Sequence, residues 1–176
     1  MRFRSLCTIA VLPLLPAFAI GTACGGGATL QGDTYTDAEA RYRIGRPGEG
    51  WQALDVEGQN DLAWSHADLA AVIQVNASCD PDLDIPLPVL TNHLLIGFTE
   101  REIRSEERVP LDAREALRTH VVAKLDGVPR EMVLTVLKKN GCVYDFALVA
   151  PPGSRFERAR QAYEAMIGGF HAGGDR

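Results

Sequence analysis

The chain has 176 residues, of which 46% are hydrophobic, and a formal net charge of −5. This length suits a single domain with its own core, and the hydrophobic content argues against a disordered chain. An acidic surface is not attracted to phosphate backbones, so the charge argues against nucleic-acid binding. The sequence contains no internal repeat, no Gly-x-Ser-x-Gly motif and no phosphate-binding glycine loop. We therefore predict no catalytic residues and no cofactor.

Residues 1–23 have the features of a secretory signal peptide. Arg2 and Arg4 precede a short apolar stretch that ends in small residues directly before Cys24. A cysteine at this place resembles the lipobox of bacterial lipoproteins, in which that cysteine is lipidated and becomes the first residue. Removal of this leader takes away two basic residues, so the mature chain has 18 − 2 = 16 basic and 23 acidic residues, a charge of −7.

The lipobox resemblance implies a protein anchored to a membrane of the cell envelope through Cys24. The pattern usually has leucine where this chain has Gly21. Gly21 and Ala23 also suit the ordinary signal peptidase, which would release a periplasmic or secreted protein. In many Gram-negative lipoproteins an aspartate after the cysteine retains the protein at the inner membrane. Because Gly25 stands there, the resemblance implies the outer membrane.

The composition of the mature chain predicts three parts. Residues 24–40 are small and polar and are interpreted as an anchor tether and linker. Residues 41–171 form one domain, and residues 172–176 form a flexible tail. In an oxidising compartment Cys79 and Cys142 form one disulfide, or alternatively two buried free thiols.

The first half of the domain is predicted to contain short strands and one helix. Alternating or β-branched segments predict strands at residues 41–44, 51–56, 61–66 and 70–77. A helix is predicted over residues 87–99, with Asp84 as its cap and prolines in its first turn. The highly charged residues 101–108 predict an exposed loop or an edge strand.

The second half is predicted to be a three-stranded antiparallel meander. Its apolar segments are residues 117–125, 128–137 and 142–150. Asp126-Gly127 and Asn140-Gly141 separate them, and such dipeptides favour type I′ turns because both central residues need a positive φ. Both faces of the last strand carry apolar residues, so we expect cover on both sides of the sheet.

A C-terminal amphipathic helix follows the meander. Ser154 and Glu157 have the spacing of a capping box at its start. Its apolar stripe, which is predicted to pack on the sheet, comprises Phe156, Ala159, Tyr163, Met166, Ile167 and Phe170.

This order of elements resembles the PsbP-like group, which includes the DcrB-like bacterial lipoproteins. The resemblance covers residues 42–170 and is carried by residues 109–116, by Tyr144 and by the closing Gly169-Phe170. Ala113 stands where such relatives often have glycine. The resemblance implies the α+β class, with an antiparallel sheet packed between helices as an α/β/α sandwich. Because the group shares no catalytic residue set, it implies a non-enzymatic binding or assembly role at a membrane surface, with an envelope protein as partner.

Two sets of residues are candidates for a ligand or ion site. Asp80, Asp82 and Asp84 alternate along a loop, and carboxylates are the ligands that Ca²⁺ prefers. A solvated turn that caps the next helix is the alternative. Trp51 and Trp64 line a ligand cleft or anchor the core. These residues favour the second functional hypothesis, a periplasmic small-molecule or ion-binding module.

The histidines are not spaced as metal ligands. No two of them lie three or four residues apart, so we predict surface or hydrogen-bonded histidines and no metal site. They are His66, His93, His120 and His171.

Overall fold

The computed structural model describes residues 27–56 and 60–173. The predicted signal peptide and Cys24 lie outside the described residues. The strands are β1 (Thr29–Gln31), β2 (Thr34–Thr36), β3 (Arg41–Arg43), β4 (Gln52–Leu54), β5 (Leu62–His66), β6 (Ala71–Ser78), β7 (Phe98–Leu111), β8 (Arg114–Leu125), β9 (Val128–Lys139), β10 (Cys142–Ala150) and β11 (His171–Ala172). The helices are α1 (Leu87–Leu94), α2 (Ser154–Gly168) and a 3₁₀ helix (Pro81–Leu83).

The strands form two antiparallel sheets, so the fold is α+β with strand as its dominant element. The main sheet has the order β4-β5-β6-β10-β9-β8-β7, and the small sheet has the order β1-β2-β3-β11. The predicted meander is confirmed as β8, β9 and β10. Its two turns have positive φ at Asp126, Gly127, Asn140 and Gly141, as type I′ turns require.

The small sheet corrects the predicted domain boundaries. Residues 29–36, interpreted from sequence as linker, form β1 and β2, and Tyr35 in β2 is buried. Ala172, assigned to the tail, pairs with Tyr42 in β11 and is also buried. These strands are only two or three residues long, and strands that short carry too few positions for a periodic pattern.

The two helices contact alternate residues of β9. Leu95 and Leu90 of the α1 region pack with Met132, Leu134 and Val136, whereas the α2 cluster contains Val133 and Leu137. Successive side chains of a strand point to opposite faces, so the apolar residues on both faces of the meander are in contact with other elements. All six residues of the predicted α2 stripe are buried, which confirms that part of the prediction. Within residues 27–56 and 60–173, neither helix has the length and apolarity needed to span a membrane.

The helix ends differ from the predictions. Helix α1 stops at Leu94 rather than at residue 99, because Gly97 has a φ of 89° and Phe98 already begins β7. Asp84 does not cap α1, whose N-cap is Pro86 without a side-chain hydrogen bond. The predicted capping box is also wrong, because α2 starts from Gly153 and the Glu157 side chain instead pairs with Arg160.

The charged segment 101–108 lies in β7, which is the edge strand of the main sheet. Its side chains are exposed on both faces, which confirms the edge-strand alternative. Two register shifts against β8 interrupt the strand. Charges and bulges are features that protect a sheet edge from pairing with another chain.

Candidate functional site

Cys79 and Cys142 form a disulfide, as one of the two sequence alternatives predicted. Cys79 follows β6 and Cys142 begins β10, directly beside the register pair Ser78 and Val143. The bond therefore joins two neighbouring strands at their ends. The bond closes a loop between residues that are 63 positions apart, and this loop contains α1, β7, β8 and β9.

The aspartates after Cys79 stabilise a turn. Asp80 caps the 3₁₀ helix by accepting a hydrogen bond of 2.9 Å from the backbone N–H of Asp82. Asp84 forms an ion pair with Lys138 of β9, and the hydrogen bond from Lys138 lowers the pKa of Asp84. Among the described residues, no three His, Cys, Asp or Glu side chains converge as metal ligands. The capping role thus differs from the prediction in its target, which is the 3₁₀ helix rather than α1.

A cleft of about 420 Å³ separates this turn from the Asn140-Gly141 turn. Arg114, at the start of β8, also lines it, and we refer to it as the Arg114 cleft. Its remaining lining includes Pro81, Leu83, Lys138 and Val143. Sequence reasoning pointed to the aspartate loop but missed Arg114, because no pattern in the chain shows that the two lie side by side.

A partly buried cluster of an acid and a tyrosine lies at the same end of the main sheet. Asp61 Oδ2 accepts hydrogen bonds of 3.0 Å from the Tyr42 hydroxyl and from the Ala77 N–H. Burial raises the pKa of Asp61 to about 6, although these hydrogen bonds act in the opposite direction. Burial also raises the pKa of Tyr42, and the Asp61 charge adds to that effect.

Asp145 extends the cluster into the centre of the main sheet. It lies opposite Asn76, whose side-chain amide donates to Asp145 Oδ2 at 3.4 Å. Burial raises the pKa of Asp145 to about 6, and the negative charge of Asp61 contributes in the same direction. The sequence did contain a signal for this site, because Asp145 interrupts an otherwise apolar strand.

A second cleft of about 410 Å³ opens beside Asp61. Its lining includes Ala28, Tyr35, Asp37, Leu54 and Asn76. The Tyr35 hydroxyl donates to Asp37 Oδ2 at 3.0 Å. Because Ala28 lies here, the beginning of the described chain is at this end of the domain.

The two tryptophans do not lie together with the aspartate loop. Trp64 is a core residue with 3% exposure, and its register partner on β6 is Ile73. From Ile73 to the end of β6 at Ser78 the strand extends roughly 17 Å. Trp51 is partly buried and contacts His66 edge to face, with ring centroids 5.5 Å apart. The core-anchor alternative therefore describes Trp64, and the proposed ligand set does not form one site.

Two of the remaining histidines have carboxylate partners. His120 Nε2 lies 2.8 Å from Glu131 Oε1, and the ring stacks on Phe156. His171 Nδ1 lies 2.7 Å from Asp112 Oδ1.

Asp112 connects three elements. It also accepts hydrogen bonds from Lys139 of β9 and from the Ala172 N–H of β11. Burial opposes ionisation of Asp112, but the hydrogen bonds from Lys139, Ala172 and His171 outweigh it and lower the pKa. Asp112 therefore attaches the small sheet to the turns of the main sheet.

No protein-family model matches the sequence, and no curated protein is significantly similar to it. Solved structures are similar in fold. Cyanobacterial PsbP (CyanoP) from Synechocystis has a TM-score of 0.54 and 16% identity over 87% of this chain and 96% of that protein. LpqN of Mycobacterium tuberculosis, described as involved in cell envelope biogenesis, has a TM-score of 0.55 and 12% identity over 78% of this chain and 87% of that protein. The Saccharomyces cerevisiae Ran-binding protein Mog1p has a TM-score of 0.50 and 13% identity over 78% of this chain and 88% of that protein.

These similarities assign the chain to the PsbP-like fold, as the sequence resemblance implied. At 12–16% identity they concern the fold alone.

Proposed function

We propose that the chain is a non-enzymatic envelope lipoprotein that binds a protein partner, or helps to assemble one, at a membrane surface. The secretory leader and Cys24 support the anchor, and Gly25 supports the outer membrane as its location. The PsbP-like fold and the envelope role of LpqN are compatible with this function. We also infer the finer architecture that the resemblance implies, with the main sheet held between helical layers.

The position of the chain's beginning would orient an anchored domain. Cys24 lies three residues before Gly27, the first described residue, and three residues span at most about 11 Å. Strand β11 of the small sheet is attached to Asp112, and the adjoining Gly173 is bound by Asn140. Lipidation of Cys24 would thus hold the end of the domain that carries the Asp112-Ala113 and Asn140-Gly141 turns close to the bilayer.

A group of exposed apolar side chains at the opposite end of the main sheet supports a binding role. Leu125 and Val128 flank the Asp126-Gly127 turn, Ile103 lies on β7, and Ile96 follows α1 with 74% of its surface exposed. We name these four residues the distal apolar patch. The 12-residue strand β9 separates the two ends by roughly 40 Å.

The distance between the patch and the tether decides which partner the patch suits. Apolar side chains grouped on a surface mark contacts with proteins or membranes. Because the tether would hold the opposite end at the bilayer, a domain that stands upright on its anchor turns the patch away from the anchoring membrane. We therefore assign the patch to an apolar surface of another envelope protein.

The test is site-specific photo-crosslinking in intact cells. A photoreactive amino acid placed at Ile96 should give discrete adducts with a protein, because this side chain is the most exposed member of the patch. The same amino acid at Arg158, which is exposed on α2, serves as the matched control and should give none. The Cys24→Ser variant should lose the Ile96 adducts. Adducts with lipid, or equal adducts at both positions, would contradict the proposal.

A further inference from the structure

The Arg114 cleft combines an apolar floor with a charged rim. Leu83 and Val143 form part of the apolar cluster under α1, and both line the cleft. Its volume of about 420 Å³ lies within the range of small-molecule sites. Such sites join apolar walls to a few polar groups that orient the ligand.

The two lysines of the rim already have carboxylate partners. Lys138 forms its ion pair with Asp84 and donates a second hydrogen bond of 3.2 Å to the Ile85 carbonyl. Lys139 Nζ lies 2.7 Å from Asp112 Oδ2. The positive charge of each ammonium group is therefore already matched by a carboxylate.

Arg114 differs from both lysines. Its side chain is exposed, and among the described residues it has neither a hydrogen bond nor an ion pair. Asp80, an acidic residue of the rim, accepts a hydrogen bond from the N–H of Asp82. A guanidinium presents a planar fork of N–H donors that fits carboxylate and phosphate groups with two parallel hydrogen bonds.

We propose that the Arg114 cleft binds an amphipathic anion, a carboxylate or phosphate group attached to a short apolar chain. The anionic group accepts hydrogen bonds from Arg114, and the chain packs on Leu83 and Val143. A membrane lipid and a soluble fatty acid both have this chemistry. The proposal concerns a part of the surface separate from the distal apolar patch, and it does not depend on lipidation of Cys24.

The first measurement is a titration of the full chain with octanoate, monitored by backbone amide chemical shifts. The Cys24→Ser form is used so that the protein stays out of the membrane. Saturable shifts should centre on Arg114, Leu83 and Val143, with a dissociation constant on the order of 1 mM or below. Shifts that are absent, or that centre on another part of the domain, would overturn the proposal.

Matched variants test the role of the guanidinium. Arg114→Gln should weaken octanoate binding at least tenfold and leave the melting temperature unchanged, because the side chain is exposed. Arg155→Gln, at an exposed position on α2, should bind octanoate as the parent protein does. Equal affinity of the Arg114→Gln variant and the parent would overturn the proposal.

Further probes test whether both the anionic group and the apolar chain of the ligand are recognised, and whether the ligand is a membrane lipid or a soluble anion. Inorganic phosphate and octanol each lack one half, and each should bind at least tenfold more weakly than octanoate. If either binds as tightly as octanoate, the amphipathic assignment is wrong. Displacement of octanoate by phosphatidylglycerol vesicles, but not by phosphatidylcholine vesicles, would assign the site to membrane lipid. Failure of both vesicles to displace bound octanoate would assign it to a soluble anion.

Discussion

Asp145 is a carboxylate in the middle of the seven-stranded sheet, with an amide rather than a cation as its hydrogen-bond partner. Burial disfavours the charged form, and its pKa rises to about 6 from an ordinary value near 3.8. The folded protein therefore holds a proton on Asp145 at pH values where the unfolded chain has released it. By linkage, the contribution of Asp145 to the free energy of unfolding falls as the pH rises from about 4 to 6.

We predict that Asp145→Asn removes this dependence, because the amide resembles the protonated carboxyl and cannot ionise. The variant should be more stable than the parent at pH 7 by about 1–3 kcal/mol, and the difference should vanish near pH 4. Urea denaturation at pH values between 4 and 8 measures the difference. A constant difference across this range would show that ionisation of Asp145 does not destabilise the fold.

Asp84→Asn is the control of opposite sign. Lys138 lowers the pKa of Asp84, so its contribution to stability is present at neutral pH and is lost as the pH falls. This variant should therefore be less stable than the parent at pH 7, with the difference disappearing in acid.

Ala113 adopts a backbone conformation that usually belongs to glycine. It follows Asp112 in the β7–β8 turn, and its φ is 58°. A residue with a Cβ atom is strained by about 1–2 kcal/mol in the left-handed region. The resemblance to the PsbP-like group already singled out this position, since relatives often have glycine there.

We predict that Ala113→Gly stabilises the protein by about 0.5–1 kcal/mol, the released strain less the added freedom of glycine in the unfolded chain. Ala53→Gly is the matched control, because Ala53 is exposed in β4 and is not among the positive-φ residues. The control should lose stability by about 0.5–1 kcal/mol. Thermal unfolding of both variants checks the prediction, and a loss of stability in both would contradict it.

At the level of elements, a buried hydroxyl connects α2 to the main sheet. The Tyr163 hydroxyl lies 2.8 Å from Thr135 Oγ1 of β9 and 3.1 Å from the Phe146 carbonyl oxygen of β10. Tyr163 and Thr135 are fully buried. Loss of the Tyr163 hydroxyl removes this partner of Thr135 Oγ1, whereas loss of the Thr135 hydroxyl leaves the Tyr163 hydroxyl with the Phe146 carbonyl alone.

We predict that Tyr163→Phe and Thr135→Val each lower the free energy of unfolding by about 1–2 kcal/mol. The double variant should lose less than the sum of the two, because the second substitution removes the partner that the first left unpaired. Urea denaturation of the four proteins measures this coupling. Strict additivity would mean that the two hydroxyl groups do not depend on each other.

The disulfide acts between elements as well, because it joins the ends of β6 and β10. Closure of a loop with a separation of 63 residues restricts the unfolded chain and stabilises the fold by roughly 4 kcal/mol. We predict that Cys79→Ser lowers the melting temperature under oxidising conditions. With reductant present, parent and variant should melt at nearly the same temperature. Equal melting temperatures with and without reductant in both proteins would show that the disulfide does not stabilise the fold.

Over the whole molecule, the elements with strong local signals were predictable from the sequence. Two Asx-Gly turns predicted the meander, and the apolar stripe of α2 predicted which helix face is buried. Local sequence patterns did not predict the strands whose formation depends on pairing partners distant in sequence. Strands β1, β2 and β11 are short and are stabilised by pairing with β3 and by burial of Tyr35, which no local pattern encodes.

The candidate sites also divide into residues that a local sequence pattern indicates and residues that only the fold brings together. The aspartate loop was visible in the sequence because its three acids alternate. Arg114 is far from that loop in sequence, and only the antiparallel return of β9 next to β8 places Arg114 near it. The raised pKa of Asp61 likewise depends on burial that the fold creates, since Tyr42 reaches it from a separate sheet.

Anchoring of this domain to a membrane through Cys24 can be read from the intact mass of the protein isolated from membranes without reductant. We expect a chain that begins at Cys24 and carries a diacylglyceryl group and an amide-linked acyl chain. Its mass should be reduced by two hydrogen atoms for the disulfide between Cys79 and Cys142. An unmodified mass recovered from the soluble fraction would contradict the anchor and identify a periplasmic or secreted protein.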